Sequence, residues 1–219
     1  MDTERRRDLA EKALHGYVNG PSAPTRATAR ALAKAGAART IILVEGISDQ
    51  IALETLALRR NRDLDAEGVL VLPTGGAQAL ARFLTHFGPE GADLRLAGLC
   101  DVREEGVLRR GLVDARVGYP RTRADMERIG FHVCVEDLED ELIRAVGASK
   151  VEVIFDSQGD LGSFRSLQKQ PAWRGEKVEA QMRRFLGSGS RRKLRYARLL
   201  TGSVDLDRVP YPLDAVLAV

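Results

Sequence analysis

Four short apolar runs, each followed by a segment whose apolar residues recur with helical spacing, constrain the fold of this chain more than any other feature. The runs are TIILV (40–44), GVLVLPTGG (68–76), LRLAGLC (94–100) and FHVCV (131–135). Runs rich in β-branched residues favour strands, and apolar spacings of three and four favour helices. Because strand and helix alternate four times, the pattern predicts an α/β fold with a largely parallel sheet flanked by helices.

Further helices are expected on both sides of this alternating region. Two helices, at about 3–18 and 25–36, precede the first strand and are separated by the breaker stretch NGPSAPT. We divide the chain into an N-terminal helical extension (1–37), a sheet core (38–148) and a mostly helical C-terminal part that completes the same domain (149–219). The N-terminal helices are expected to cover an exposed part of the core or to mediate self-association as a homodimer.

Composition excludes several classes of protein. The chain has 219 residues, 44% of them hydrophobic, which is enough for one substantial core. Its longest apolar runs are about five residues, whereas a membrane span needs about twenty. The basic start of the chain lacks the apolar stretch of a secretory signal. We therefore predict a cytoplasmic protein without membrane contact, whose two cysteines, Cys100 and Cys134, are reduced and buried.

Acidic residues follow three of the four predicted strands. Glu45 and Asp101 each end one strand, and the last strand leads into an acidic group: Glu136, Asp137, Glu139, Asp140 and Glu141. The carboxyl ends of parallel strands meet at one edge of the sheet, so these acids should converge. Crowded carboxylates repel one another unless cations lie among them, and oxygen ligands favour Mg²⁺ or Mn²⁺ over zinc. The sequence therefore predicts an acidic metal site.

Each acid also has a purely structural interpretation. Asp49 and Ser48 could cap the helix that follows them. Asp137 and Glu139 fall near the start of a helix, where the helix dipole favours acids regardless of function. Glu45 is harder to explain in this way, because it ends a buried strand rather than lying in a solvated turn. The coincidence of three strand ends favours the metal site.

Three stretches resemble the Toprim domain of the OLD (overcoming lysogenisation defect) family of nucleases: LVEGISD (43–49), VEDLEDEL (135–142) and SGSRRKLRYARLLTGSVDLDRVPYPL (188–213). The resemblance covers roughly residues 38–215 and implies a Toprim-like, Rossmann-like fold. It also implies endonucleolytic cleavage of phosphodiester bonds, DNA as the partner, and one or two Mg²⁺ or Mn²⁺ ions. By position, it implies metal ligands at Glu45, Asp49, Asp101 and Glu139, and catalytic roles for Glu45 and for the basic residue Lys193.

The chain departs from the family pattern in two places. The usual Asp-x-Asp motif reads Asp101-Val102-Arg103-Glu104 here, so Glu104 must replace the second acid as a metal ligand. OLD nucleases also contain an ATPase domain, whereas this sequence has no GxxxxGK[ST] loop. The resemblance therefore implies an isolated Toprim unit whose ATPase, if one takes part, is a separate chain.

Basic residues near the C-terminus favour a nucleic-acid partner. Arg191, Arg195 and Arg198 should share one face of a helix at about 190–201, and with Arg192 they are the predicted nucleic-acid contacts. The alternative is an ordinary solvated face. Lys193 lies on the apolar side of the same helix, where it either extends to solvent or reaches the acidic site to neutralise charge on a scissile phosphate.

Other features have weaker interpretations. His132 and Cys134 are interpreted as core residues, and the glycines of PTGG (73–76) either bind a phosphate or form a tight turn. Tyr119 could be a nucleophile, but the separate domain needed for that chemistry is missing, and residues 164–175 have no assigned role. Three functions remain open: a metal-dependent nuclease, a non-catalytic Toprim module that binds metal and nucleic acid or nucleotide, and an unrelated small-molecule-binding domain.

Overall fold

The structure is a computed structural model that describes residues 23–219, so the helix predicted at about 3–18 lies outside the described residues. The strands are β1 (Thr40–Val44), β2 (Val69–Pro73), β3 (Arg95–Cys100) and β4 (Phe131–Val133). The helices up to β4 are α1 (Ala23–Lys34), α2 (Ile47–Arg59), α3 (Ala77–Phe87), α4 (Glu105–Asp114) and α5 (Arg123–Arg128). After β4 come α6 (Leu138–Val146), α7 (Ala148–Ser157), α8 (Leu161–Gln168), α9 (Val178–Leu186), α10 (Ser190–Ser203) and α11 (Tyr211–Val216).

The four strands form one parallel sheet with the order β2-β1-β3-β4. Thr40 of β1 pairs with Val69 of β2 on one side and with Arg95 of β3 on the other. The chain therefore moves from β1 to one neighbour and then returns to the opposite side, which makes the gap between β1 and β3 the topological switch point. Ligands of open α/β sheets bind beyond the carboxyl ends of the strands at such a point. The predicted α/β fold with a parallel sheet is confirmed.

Both faces of the sheet are covered, because alternate residues of each strand enter different cores. Ile42 and Val44 of β1 belong to the core that α2 and the helices after β4 enclose. Ile41 and Leu43 belong to the opposite core, where α3, α4 and α5 pack. Cys100 and Cys134 are buried free thiols that belong to different cores, as expected of reduced cysteines. Within residues 23–219, no helix has the length and apolar character needed to cross a membrane.

Helix α1 packs against the edge strand β2. Its side chains Ala27 and Ala31 are buried, and the Thr28 hydroxyl donates a hydrogen bond of 2.7 Å to the carbonyl of Pro73. The helix predicted at about 25–36 is therefore present and covers part of the core. Self-association through the N-terminal region stays a prediction.

The C-terminal helices pack onto the same face as α2. The aromatic rings of Phe155, Phe164, Phe185 and Tyr196 form one cluster, in which Phe155 lies 5.1 Å from each of the other three ring centroids. Helix α10 ends against α2, where the Arg59 guanidinium donates to the carbonyls of Thr201 and Val204 at 2.7 and 2.6 Å. These contacts fix the position of α10 relative to β1, which α2 follows.

The distinctive segment 164–175 has a packing role. Trp173 packs against the core beside α8 and α9, and its carbonyl accepts a 2.7 Å hydrogen bond from Gln181. The same glutamine accepts a 2.7 Å hydrogen bond from Gln168. Gln181 thus holds the connection between α8 and α9 in one conformation.

Candidate functional site

Glu45 stands at the carboxyl end of β1, next to the switch point of the sheet. Its side chain is half-buried, and its own carbonyl accepts hydrogen bonds from the amides of Gly75 and Gly76 at 3.0 and 3.2 Å. Both glycines have positive φ, 80° and 122°, a region that favours residues without a Cβ. These amides therefore shape the turn after β2 instead of pointing at a phosphate, so of the two interpretations of PTGG the tight turn is correct.

Asp49 lies in the first turn of α2, four residues after Glu45 in the sequence. It is buried, and one of its carboxylate oxygens accepts a 2.8 Å hydrogen bond from the amide of Gly46. The structural interpretation of Asp49 as an N-terminal residue that fixes the helix start is thus correct in geometry. This structural role does not exclude a second role in the acidic site. Burial raises the pKa of Asp49, although the hydrogen bond from Gly46 opposes that shift.

Asp101 follows β3 on the other side of the switch point. A 3₁₀ turn (Val102–Glu104) comes next, and the Val102 amide donates a 3.2 Å hydrogen bond to the carbonyl of Glu136 beyond β4. The exits of β3 and β4 are therefore tied together. Burial, and then the negative charges of Asp49 and Glu45, raise the pKa of Asp101 to about 8.

The acidic group after β4 separates into structural and site residues. Glu141 is buried and accepts a 2.7 Å hydrogen bond from the amide of Val135, while Asp140 pairs with Arg144 at 2.8 Å. Glu136 is exposed. These three acids therefore stabilise the start of α6 or lie in solvent, and they do not line the switch point.

Asp137 was not among the predicted ligands, yet it belongs to the site. Its side chain caps α6 by accepting a 2.9 Å hydrogen bond from the amide of Asp140, and Arg183 of α9 donates to its other oxygen at 2.5 Å. The charge of Asp137 contributes to raising the pKa values of Glu45 and Asp101. The signal in the sequence was its position just after the predicted strand FHVCV (131–135), which the helix-dipole interpretation also explained.

Lys193 reaches the acidic site from α10. Its Nζ lies 3.3 Å from Oε2 of Glu139, a residue of α6 whose side chain is only 8% exposed. Burial alone would lower the pKa of Lys193, but the charges of Glu139 and Asp49 raise it, so the ammonium stays protonated. Of the two interpretations of Lys193, the one in which it points into the acidic site is correct; its catalytic role stays a prediction.

The predicted acids thus come together from three strand ends. Burial, together with the charges of Asp49 and Glu104, raises the pKa of Glu45. Glu104 therefore lies near enough to act on Glu45, although it belongs to the 3₁₀ turn after β3. Arg103, which occupies the position of the missing aspartate, is exposed. The structure brings all five predicted ligands to one edge of the sheet.

These side chains fit a hard cation in their chemistry but do not form a finished cage. Among the residues that the structure describes, no three Asp, Glu, His or Cys side chains stand where they could enclose an ion. However, Oε1 of Glu139 is buried without a hydrogen-bond partner, and burial raises the pKa of this carboxyl to about 7. A divalent cation would satisfy that oxygen and reduce the repulsion among the acids.

The arginines of α10 are less available than predicted. Arg195 forms an ion pair with Asp160, to which the Tyr196 hydroxyl also donates at 2.8 Å. Arg192 lies over the ring of Phe185, 4.0 Å from its centroid, and donates to the hydroxyl of Ser188 at 2.6 Å. Two of the four predicted nucleic-acid contacts, Arg192 and Arg195, therefore already have partners within the fold. Arg191 is exposed and Arg198 half-exposed, and contact of these arginines with nucleic acid stays a prediction.

His132 and Cys134 are buried, as expected of core residues. The His132 ring packs edge-on against Tyr211, with 5.8 Å between ring centroids. Burial raises the pKa of the Cys134 thiol, which keeps it protonated, and lowers the pKa of His132, which keeps its imidazole neutral inside the core.

A parallel sheet with acids from three strand ends at its switch point matches a Toprim-like fold. The sequence model described as "Overcoming lysogenization defect protein-like, TOPRIM domain" matches residues 38–101. Residues 38–101 are therefore similar to an OLD-like Toprim domain, in agreement with the resemblance seen in the sequence. Toprim domains generally bind divalent metal ions, in agreement with the donor chemistry of this site.

Solved structures support the same assignment. The chain is similar to the C-terminal region of the OLD protein from Xanthomonas campestris pv. campestris, at 25% identity over 83% of this chain and 93% of that one, with a TM-score of 0.59. It shares its fold with the C-terminal region of the Burkholderia pseudomallei OLD protein, at 20% identity over 83% of this chain and 96% of that one, with a TM-score of 0.60. No curated protein matches the chain.

Proposed function

We propose that this chain is a metal-dependent nuclease domain that cleaves phosphodiester bonds in DNA. The observation that supports this most strongly is the meeting of four carboxylates with one lysine beyond the switch point of the sheet: Glu45, Asp49, Asp101, Glu139 and Lys193. Crowded acids suit a cation, and a single lysine among them suits the phosphate that the cation attracts. Similarity to the C-terminal region of OLD proteins agrees with this activity.

The ion in this proposal is Mg²⁺ or Mn²⁺. Glu45, Asp49, Asp101 and Glu139 would hold the first ion, and Glu104 would help to hold a second one because Arg103 replaces the usual acid. A divalent ion, when bound, neutralises phosphate charge and lowers the pKa of water. Glu139 has an unpartnered buried oxygen available for this purpose.

Two residues of the chain would act on the reacting groups. The Glu45 carboxylate is half-buried rather than enclosed, so it can contact a water molecule and accept its proton. The protonated Nζ of Lys193 would donate to a phosphate oxygen, where negative charge increases in the transition state. Because Lys193 already lies beside Glu139, it needs no large movement to reach a phosphate bound at these acids.

A cytoplasmic location, a separate ATPase partner and a homodimer are further parts of this proposal. The second candidate function is a non-catalytic module that binds metal and nucleic acid or nucleotide. The exposed Arg103 at the position of the second acid favours it. The variant Arg103→Asp separates the two functions, since it restores an acid and should accelerate cleavage if a weak second metal position limits the rate.

The decisive experiment incubates the purified protein with plasmid and single-stranded DNA in Mg²⁺, Mn²⁺ or EDTA. We expect cleavage in at least one of the two metals, none in EDTA, and none with Glu45→Gln. Glu176→Gln is the matched control, because Glu176 is an exposed glutamate in the connection between α8 and α9, outside the carboxylate site. If wild type and Arg103→Asp both leave all DNA intact, the binding module replaces the nuclease.

A further inference from the structure

An exposed basic surface lies beside the carboxylates, on the α4 side of the sheet. It comprises the exposed residues Arg103, Arg110, Tyr119 and Arg121 and the half-exposed Arg109, which we together call the arginine–tyrosine surface. Helix α4 begins four residues after Asp101, and the loop after it returns to the start of the same helix. Two contacts establish this return: Arg109 donates to the carbonyl of Arg121 at 3.1 Å, and Arg123 pairs with Glu105 at 2.6 Å. The surface therefore adjoins the β3 corner of the site.

The loop that presents Tyr119 is firmly anchored. Pro120 beside it is buried, and the amide of Val117 donates a 3.0 Å hydrogen bond to the carbonyl of Leu112. The amides of Arg121 and Thr122 both donate to one oxygen of Asp125, at 2.9 and 2.8 Å. Tyr119 is thus held between fixed neighbours, yet its side chain is 73% exposed.

The charge of this region is unusual for the chain. Residues 102–123 contain six arginines and three carboxylates, an excess of three that equals the net charge of the whole chain, +3. Arg116 and Arg123 pair with Glu90 and Glu105. Within residues 23–219, Arg103, Arg110 and Arg121 have no acidic partner. These three charges are therefore available to a polyanion, unlike those of Arg192 and Arg195 on α10.

Nothing in the fold requires an aromatic side chain at position 119. Its hydroxyl has no hydrogen-bond partner among the described residues, and its ring is the most exposed large hydrophobic group in that part of the chain. A tyrosine amid unpaired arginines matches the chemistry of single-strand binding, in which arginines contact phosphates and an aromatic ring stacks on a base. A base inside a duplex offers no free face for such stacking.

We propose that the arginine–tyrosine surface binds an unpaired nucleic-acid strand next to the carboxylate site, with a base stacked on Tyr119 and phosphates on Arg110 and Arg121. This inference rests on the proposed function and names its substrate class. The strand would pass from Tyr119 over the first turn of α4 toward Asp101. A partly unpaired or single-stranded substrate is therefore preferred over an intact duplex.

The test measures binding separately from cleavage. A fluorescein-labelled oligonucleotide of about 20 thymidines and a duplex of equal length are titrated with the full chain, by fluorescence anisotropy, in EDTA and in Ca²⁺. We expect Tyr119→Ala to weaken single-strand binding on the order of tenfold and to leave duplex binding nearly unchanged. Tyr119→Phe should retain wild-type affinity, since stacking needs the ring and not the hydroxyl.

The arginines give a second, independent readout. Arg121→Ala should weaken binding of both DNA forms and reduce the slope of log affinity against log salt by about 0.7 for the single strand. Arg174→Ala is the matched control, because Arg174 is exposed in the connection between α8 and α9, away from α4. It should leave both the affinity and the slope unchanged.

Three outcomes would overturn the inference. Tyr119→Ala could bind the single strand as tightly as the wild type, or it could lose the same affinity for the single strand and the duplex. The third outcome is that the wild type binds neither DNA form in either buffer. A change in solution mass of Tyr119→Ala, measured by light scattering, would identify the surface as a contact between copies of the chain instead. The nuclease proposal fails separately. If the wild type cleaves DNA with metal but Tyr119→Ala binds DNA as the wild type does, only the inference is rejected. If Tyr119→Ala weakens binding but the wild type cleaves no DNA, only the nuclease proposal is rejected.

Discussion

Lys193 of α10 lies 3.3 Å from Glu139 of α6, so a lysine from one helix enters the carboxylate cluster at the ends of the strands. The pair is half-exposed on the lysine side and buried on the glutamate side. Because Oε1 of the same glutamate has no partner, the lysine satisfies only one of its two oxygens. The site is therefore built to accept one more positive group.

The role of Lys193 leads to the first prediction. If its ammonium stabilises charge on the phosphate, Lys193→Ala should slow metal-dependent cleavage by about a hundredfold while changing DNA affinity little. Single-turnover cleavage rates and anisotropy titrations measure the two effects. Lys169→Ala removes an exposed lysine at the end of α8, outside the carboxylate site, and serves as the control. Equal losses of rate and affinity would make Lys193 a binding residue instead.

Divalent metal should stabilise the folded protein. A cation that binds among Glu45, Asp49, Asp101 and Glu139 relieves their repulsion and binds only the folded state, so it raises the melting temperature. Mg²⁺ or Mn²⁺ should therefore raise the melting temperature of the wild type by more than that of Asp101→Asn. Differential scanning fluorimetry over a metal titration gives both values. Identical shifts in the two proteins would reject the metal site.

Without metal, the stability of the fold should fall as pH rises. The pKa values of Asp101, about 8, and Glu139, about 7, lie above the ordinary values of carboxyls in unfolded chains. A carboxyl whose pKa is raised by folding contributes stability that is full below its ordinary pKa and is lost as pH rises through the folded value. In EDTA, the melting temperature should thus decrease from about pH 5 to about pH 8.5.

Two variants show which carboxyls cause this pH dependence of the melting temperature. Asp101→Asn should flatten the decrease because it removes one of the raised carboxyls. Glu54 contributes separately, since burial raises its pKa to about 7 despite a 2.8 Å hydrogen bond from Gln50, and Glu54→Gln should remove that part. A melting temperature that rises from about pH 5 to about pH 8.5 in EDTA would contradict the raised pKa values of Asp101 and Glu139.

The N-terminal region should support the packing of the core and should not affect metal binding by the acids. Deletion of residues 1–36 removes α1, uncovers the side of β2 and breaks the bond from Thr28 to Pro73. We expect lower solubility or an altered oligomeric state, with the metal affinity of any folded protein nearly unchanged. Isothermal titration with Mn²⁺ and light scattering measure the two properties. Lost metal affinity in a soluble protein of unchanged mass would contradict this.

Local sequence patterns predict the fold and the position of the site well, for physical reasons. The runs of β1 and β2 are apolar and β-branched because both faces of a parallel strand are buried, which makes them visible in the sequence. Once four strand–helix units are recognised, topology alone brings Glu45 and Asp101 to the same edge.

Contacts between distant segments are what the sequence could not predict. The pairing of Arg195 with Asp160 depends on how α10 packs on the turn before α8, and no local spacing encodes that contact. The donation of the Gly75 and Gly76 amides to Glu45 depends on the register of β1 with β2. The sequence offers Tyr119 as a possible nucleophile, but only its exposure beside unpaired arginines indicates a binding surface.

The central claim is that Glu45 serves chemistry rather than DNA affinity, and one paired measurement tests it most directly. Single-turnover cleavage of DNA in Mn²⁺ and equilibrium binding of the same DNA are compared for wild type and Glu45→Gln. The account predicts that Glu45→Gln lowers the cleavage rate by several orders of magnitude while the dissociation constant changes little, because arginines supply most of the affinity. Wild-type cleavage by Glu45→Gln, or a loss of rate explained entirely by weaker binding, would contradict it.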